Sequence, residues 1–172
     1  LEWNNTPPKT FARVNTLRAD ASKLVEQWRD ENVEYDFVTH KWTGENQVFE
    51  LKSHPPFTTL ESFRQGWFYI QDPSTLLAVR ELDPLPGESI LDCCAAPGGK
   101  TTYIAQLMNN QGYIMAQDIE IQRRMAIRQN CDRLGVRNVN IPPATTAINV
   151  DLSKPFDKVL ADVPCTNTGV LR

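Results

Sequence analysis

The sequence has no apolar stretch long enough to cross a bilayer, which excludes a membrane-spanning helix within it. Its first residues lack the basic-then-apolar order of a secretory leader. Cysteine is scarce. Cys93, Cys94, Cys131 and Cys165 show neither a disulfide framework nor zinc-type pair spacing, so no metal is expected. A reducing cytoplasm is the expected compartment. Histidine is scarcer still, and His40 and His54 have no partner pattern. The net charge of −3 carries no basic excess, so any nucleic-acid contact must come from local basic groups. Repeats and low-complexity segments are absent. What is there, 41% hydrophobic residues among charges of both signs, marks a folded chain with length for one domain and part of another.

The pattern divides the chain in two. Residues 1–72 read as a small α+β unit. Phe11 to Asn15 is a strand, and Asp20 to Asn32 a helix with Ala21, Leu24, Val25 and Trp28 on its apolar face. Val33 to Thr39 and Gln47 to Leu51 read as strands around a Trp42-Thr43-Gly44-Glu45 turn. Pro73 opens a helix, Ser74 to Leu82. Residues 73–172 then alternate strand and helix: Ile90, the helix after Lys100, Tyr113 to Gln117, Glu120 to Leu134, Asn138 to Ile141, and Lys158 to Ala161. This predicts an α/β, doubly wound, Rossmann-like parallel sheet.

Chemistry concentrates at two turns of that sheet. Asp92-Cys93-Cys94-Ala95-Ala96-Pro97-Gly98-Gly99-Lys100-Thr101 joins a strand to a helix through a glycine pair. Such a turn brings backbone N–H groups and the positive helix end against a ligand. It is not a Walker A loop, because Cys94 stands where the first glycine is needed. Nor is it the dinucleotide G-x-G-x-x-G, because Gly98 and Gly99 are adjacent. Asp118, after the next strand, is placed to accept hydrogen bonds from ribose hydroxyls. Without a pyrophosphate signature, S-adenosylmethionine is the expected cofactor. The competing reading is a glycine turn that only packs helix on sheet.

The second turn is Asp162-Val163-Pro164-Cys165, after the apolar run Val159 to Ala161, which reads as a buried strand. Asp162 falls on the same sheet edge as Asp92 and Asp118, the edge that carries ligands in open α/β sheets. A cysteine fixed there by Pro164 could attack a carbon or trade protons with a reacting base.

These runs resemble the RNA (cytosine-5) methyltransferase family of the Fmu/Sun type. Cys94 to Thr101 is similar to its cofactor motif, and Asp162-Val163-Pro164-Cys165 with Gly169 and Arg172 to its motif four, with Thr166 where serine is common. Arg13-Val14-Asn15-Thr16, Gly66 to Asp72, Arg133-Leu134-Gly135 and Trp3 to Pro8 also resemble family signatures. The resemblance implies methyl transfer from S-adenosyl-L-methionine to carbon 5 of cytosine in RNA, ribosomal RNA being expected. It implies cofactor binding by Cys94, Ala95, Ala96, Pro97, Gly98, Gly99, Lys100, Asp118 and Asp162. Asp162 would hydrogen-bond the cytosine ring, and Cys165 would assist release of the methylated product. Lys100, Arg13 and Arg172 are the expected RNA contacts, and residues 1–72 the RNA-binding subdomain.

The sequence departs from the family in two ways. The family's nucleophilic cysteine belongs to a later Thr-Cys motif absent from these residues. The stretch Ile141 to Thr146 lacks the acid expected near adenine. The expectation is therefore a fragment without the last strands of the sheet, inactive alone, whose exposed edge strand would pair with another chain. Arg123, Arg124, Arg128 and Arg133 are expected on a solvated helix face. Trp28 is expected in the core, and Trp67, Phe68 and Tyr69 in packing between the units rather than under bases. A small-molecule methyltransferase, a nucleotide hydrolase and a non-catalytic RNA-binding fragment remain open as other classes.

Overall fold

The computed structural model describes residues 8–143 and 155–163. Among them the chain forms two sheets. Strands β1 (Thr10–Val14), β2 (Glu34–Phe37), β3 (Val48–Ser53) and β4 (Phe68–Ile70) make an antiparallel sheet in the order β2-β3-β1-β4. Strands β5 (Ser89–Asp92), β6 (Tyr113–Ala116), β7 (Val139–Asn140) and β8 (Lys158–Leu160) make a parallel sheet in the order β7-β6-β5-β8. The helices are α1 (Ala21–Asp30), a short α2 (Glu61–Arg64), α3 (Ser74–Leu82), α4 (Gly99–Leu107) and α5 (Ile121–Leu134).

Helix α1 starts where Asp20 caps it, its side chain accepting Lys23 N–H at 2.8 Å. Its apolar stripe then buries Leu24 and Trp28 against one face of the first sheet. Trp28 meets the edges of Phe49 and Phe68 with ring centroids 5.3 and 5.4 Å away. Ala12, Val14, Phe49, Leu51 and Phe68 belong to this core, and strand alternation puts their neighbours on the opposite face. That face is also covered. Phe11 and Val48 pack into the core of the second sheet, and Arg13 and Tyr69 lie over α4. The sheet is therefore covered on both faces around β1 and β4, while β2 stays largely exposed, and one of its faces is a wall of the second unit.

In the parallel sheet, β6 lies on one side of β5 and β8 on the other. The chain thus reverses its direction of travel at the C-terminal end of β5, the place where such sheets open a crevice for ligands. Of the expected buried strand Val159 to Ala161, only Leu160 is buried. Val159 is 54% exposed, because β8 is the outermost strand among the described residues and is covered on one face. No helix among the described residues is long and apolar enough to cross a membrane.

The two units are clamped together. Asn15 donates through Nδ2 to Gly66 O at 2.7 Å and to Leu134 O at 2.8 Å. Gly66 has φ +70°, and a Cβ there would sit 1.9 Å from the carbonyl oxygen of Arg133, so only glycine fits. Arg133 does not lie on a solvated face as expected. Its Nη1 donates to the carbonyls of Phe63 and Phe68, and its guanidinium covers the Phe63 ring at 4.1 Å. The end of α5 faces the first unit, which the helix periodicity of α5 alone does not reveal. Of the surrounding aromatics, Phe68 belongs to the first core, Trp67 packs against that core under Lys23, and Tyr69 faces Arg13 and Arg133.

Candidate cofactor and base site

Asp92 ends β5 and organises the loop that follows. Its carboxylate accepts Thr101 Oγ1 at 2.7 Å and a backbone N–H from Cys94, so it ties both ends of the loop together. It is 1% exposed, and burial pushes its carboxyl up to about 6, against the lowering effect of the Thr101 hydrogen bond. Gly98 takes φ +102°, and a Cβ there would lie 3.3 Å from Ile127 Cα. The missing Gly98 side chain therefore faces α5, and that of Gly99 faces Tyr69 and Gln71. The glycine pair lets the loop seat between α5 and the first sheet. Asn130 Nδ2 donates to Pro97 O at 2.9 Å and holds the loop from below.

Asp118 follows β6 and is 5% exposed. Its carboxylate accepts long hydrogen bonds from the backbone N–H groups of Ala96 (3.3 Å) and Glu120 (3.4 Å), and Arg123 Nε stands 3.4 Å away. Cys93, Cys94, Asp118, Ile119 and Arg123 line a hollow of about 90 Å³. Arg124 donates to the carbonyls of Asp118 and Ile119. Of the four arginines expected to face solvent on α5, Arg128 is exposed; Arg123 and Arg124 instead brace the acid loop.

Lys100 and Asp162 form an ion pair at 2.6 Å, joining the loops after β5 and β8. Asp162 is 57% exposed, so the pair contributes only about 0–1 kcal/mol to stability. Its place matters more: both residues line a pocket of about 180 Å³ with Cys94, Ala95, Ala96, Pro97 and Gly99, closed on the far side by Tyr69, Ile70, Gln71 and Thr75. Cys94 lines both this pocket and the Asp118 hollow. Burial pushes the Cys93 and Cys94 thiols up, and Cys131 up to about 12, so none of the three is a ready nucleophile.

Arg13 does not reach outward to RNA as expected. It is 1% exposed and donates to Gln71 Oε1, Gly99 O and Thr102 Oγ1. The residue alternates onto the β1 face that packs over α4, and strand periodicity alone could not show that this face is covered. Cys165 and Arg172 lie outside the described residues. Ile141 to Pro143 follow β7 with no carboxylate, and Ala144 to Thr146 lie outside the description. Sequence reasoning missed Gln71 and Arg123 as site residues. The signal for Gln71 lay in its own Gly66-to-Asp72 run; for Arg123 it lay in the first turns of the helix after an acid-bearing strand. No metal-holding cluster of His, Cys, Asp and Glu occurs among the described residues.

A parallel sheet with a loop, two acids and a lysine at its switch point defines a doubly wound α/β ligand-binding domain. A family model described as 16S rRNA methyltransferase RsmB/F matches residues 79–172, and the chain belongs to that family. It is 37% identical over 168 residues to the probable ribosomal RNA small subunit methyltransferase B of Bacillus subtilis, covering 96% of this chain and 36% of that protein. It is 37% identical over 171 residues to the 28S rRNA (cytosine(4447)-C(5))-methyltransferase of Homo sapiens, covering 99% of this chain and 21% of that protein. The chain thus spans about a third or less of the length of these relatives. A crystal structure of a methyltransferase homolog protein from Pyrococcus horikoshii superposes with a TM-score of 0.81 at 38% identity, covering 98% of this chain and 54% of that one.

Proposed function

We propose that the chain carries the cofactor site and part of the base site of an enzyme that methylates carbon 5 of cytosine in RNA, with ribosomal RNA as substrate. The observation that carries this reading is a pair of hollows at the switch point that share Cys94 as a wall. One is lined by the buried Asp118, the other by Lys100 and Asp162. The residues fit S-adenosylmethionine. Asp118 offers carboxylate oxygens engaged by two long backbone hydrogen bonds and a 3.4 Å ion pair to Arg123, leaving acceptor capacity for ribose hydroxyls, and exposed Ile119 offers an apolar surface beside it for adenine. When bound, the cofactor supplies an electrophilic methyl group.

The chain's own residues then have distinct tasks. Lys100 and Asp162 hold a donor and an acceptor at the pocket mouth, suited to the polar edge of an unstacked base. Asp162 accepts an N–H from that base, and Lys100 keeps Asp162 in place until it does. Asp92 keeps the loop closed from beneath. The attack on the ring is assigned to the cysteine of the later Thr-Cys motif that the family resemblance implies, with Cys165 in the product-release role of the same family pattern.

Calorimetric titration with S-adenosylmethionine tests the reading. The folded chain is expected to bind it, ATP is expected not to bind, and Asp118→Ala is expected to weaken binding about tenfold or more by removing an ionised acceptor. A folded chain that binds ATP and not S-adenosylmethionine overturns it.

A further inference from the structure

Among the described residues, Arg13 is a buried cation without a counter-ion. It takes part in none of the ion pairs among the described residues. Neutral acceptors meet it instead: Gln71 Oε1 at 2.7 Å, Gly99 O at 2.9 Å and Thr102 Oγ1 at 3.1 Å. The rings of Tyr103 and Tyr69 lie 4.8 and 5.4 Å from its guanidinium carbon. Arginine is almost never fully buried unless paired, because an uncompensated charge in a low-dielectric interior is costly. The charge therefore calls for a negative group that the described residues do not supply.

The geometry shows where that group belongs. A guanidinium has donors only, so the Gln71 atom facing it is the carbonyl oxygen, and this fixes the amide orientation. Nε2 is then turned away from Arg13. It lies over the cofactor loop, since a side chain at Gly99 would come within 3.2 Å of it. Among the described residues no acceptor takes up its protons, and Gln71 lines the pocket shared with Lys100. A ligand with its ribose on Asp118 reaches this pocket past Cys94, which borders both spaces.

We propose that Gln71 Nε2 donates to the carboxylate of the amino-acid end of S-adenosylmethionine, with Arg13 as the positioning residue that fixes the amide and supplies the buried positive charge behind it. This rests on the reading that the chain binds S-adenosylmethionine. The first unit then completes the cofactor site from outside the parallel sheet, and the carboxylate is the missing counter-ion of Arg13, relayed through one neutral amide.

The test is calorimetric titration of the chain with S-adenosylmethionine and with its decarboxylated analogue, which keeps the adenosine and the sulfonium. The unmodified chain is expected to prefer the carboxylate form by roughly tenfold to a hundredfold, the range for a hydrogen bond to a charged group. Gln71→Ala loses that preference, because the carboxylate form loses far more affinity than the analogue does. Gln71→Glu, which places an anion on the pocket side of Arg13, makes the analogue the better ligand. Arg13→Met, checked for folding by thermal melting, loses the preference as Gln71→Ala does. A Gln71→Ala protein that keeps the preference, or loses both ligands equally, overturns the relay while the cofactor reading stands. If the folded, unmodified chain binds neither ligand, both fall.

Discussion

Asn15 closes three chain segments with one side chain, and its replacement tests how the two units are joined. The residue is 2% exposed. Nδ2 donates to the carbonyls of Gly66 and Leu134, Oδ1 accepts the Leu17 N–H at 3.3 Å, and its own N–H donates to Trp67 O at 2.8 Å. Asn15→Ala removes both Nδ2 bonds and strands two buried carbonyls. With about 1 kcal/mol net for each bond, and a further desolvation term for the carbonyls, the loss comes to about 2–4 kcal/mol. Asn15→Asp keeps the shape and removes the donor. An ionised aspartate would face two carbonyl oxygens with no proton to offer, and the cost exceeds that of alanine. Burial among carbonyls raises its folded pKa above the unfolded value of about 3.9. The folded variant then holds its proton more tightly than the unfolded chain. Its defect is smallest below the unfolded value and grows as pH rises through the folded one. Urea unfolding at acid and neutral pH reads this out, followed by tryptophan emission and far-ultraviolet dichroism. Trp3, Trp28, Trp42 and Trp67 all precede Pro73, so emission reports the first unit, while dichroism reports helices of both. Both signals should shift together in the variants. An Asn15→Ala protein within about 0.5 kcal/mol of the original, the range of an ordinary surface change, would refute the account. So would an Asn15→Asp defect indifferent to pH.

Two further outcomes follow from the same geometry. The Asp92 carboxyl is pushed up to about 6, with burial the largest cause, so folding favours its protonated form. Its contribution is fully present below the unfolded value of about 3.9 and is lost as pH rises through about 6. Asp92→Asn keeps an acceptor for Thr101 and cannot ionise; it should therefore gain on the original across that window, by about 2–3 kcal/mol in all, and parallel thermal melts from pH 4 to 7 would contradict this. Arg133→Lys keeps the charge but loses the planar group over Phe63, and one ammonium cannot reproduce its contact with both carbonyls. A loss of about 1–2 kcal/mol in urea unfolding is expected, and a neutral result would show that the charge alone holds α5 to the first unit.

The parallel sheet was legible because its strands carry apolar runs and its ligand edge carries acids at strand ends; Asp92, Asp118 and Asp162 stand on that edge as expected. Helix α1 was legible down to Trp28, because a surface helix must show its buried stripe. Strand β4 was not read as a strand. Phe68, Tyr69 and Ile70 form only a short ladder with β1, and three aromatic or branched residues in a row give no period to follow. Arg13 was misread for a related reason. A charged residue in a strand is assigned to solvent unless the other side of the sheet is known to be covered, and the cover here is α4, encoded far along the chain. Arg133 repeats the case on a helix. Both errors concern contacts between the units, which local period cannot express.

Those misread contacts decide how the site holds its shape. The loop from Cys93 to Gly98 has three supports from three sources. Asp92 ties it to α4 from within, Asn130 and Ile127 support it from α5, and Arg13 and Gln71 meet it from the first sheet. The third support is the one that a parallel sheet alone would lack, and it is made by the first unit. A ligand that shifted β1 and β4 over α4 would therefore act on Tyr69, Ile70 and Gln71, which line the pocket. By linkage, a cofactor that favoured that shifted position would strengthen such a ligand's binding to an equal degree. Arg13 is the side chain on which the two units meet there, through Gly99 O, Thr102, Gln71 and the rings of Tyr69 and Tyr103.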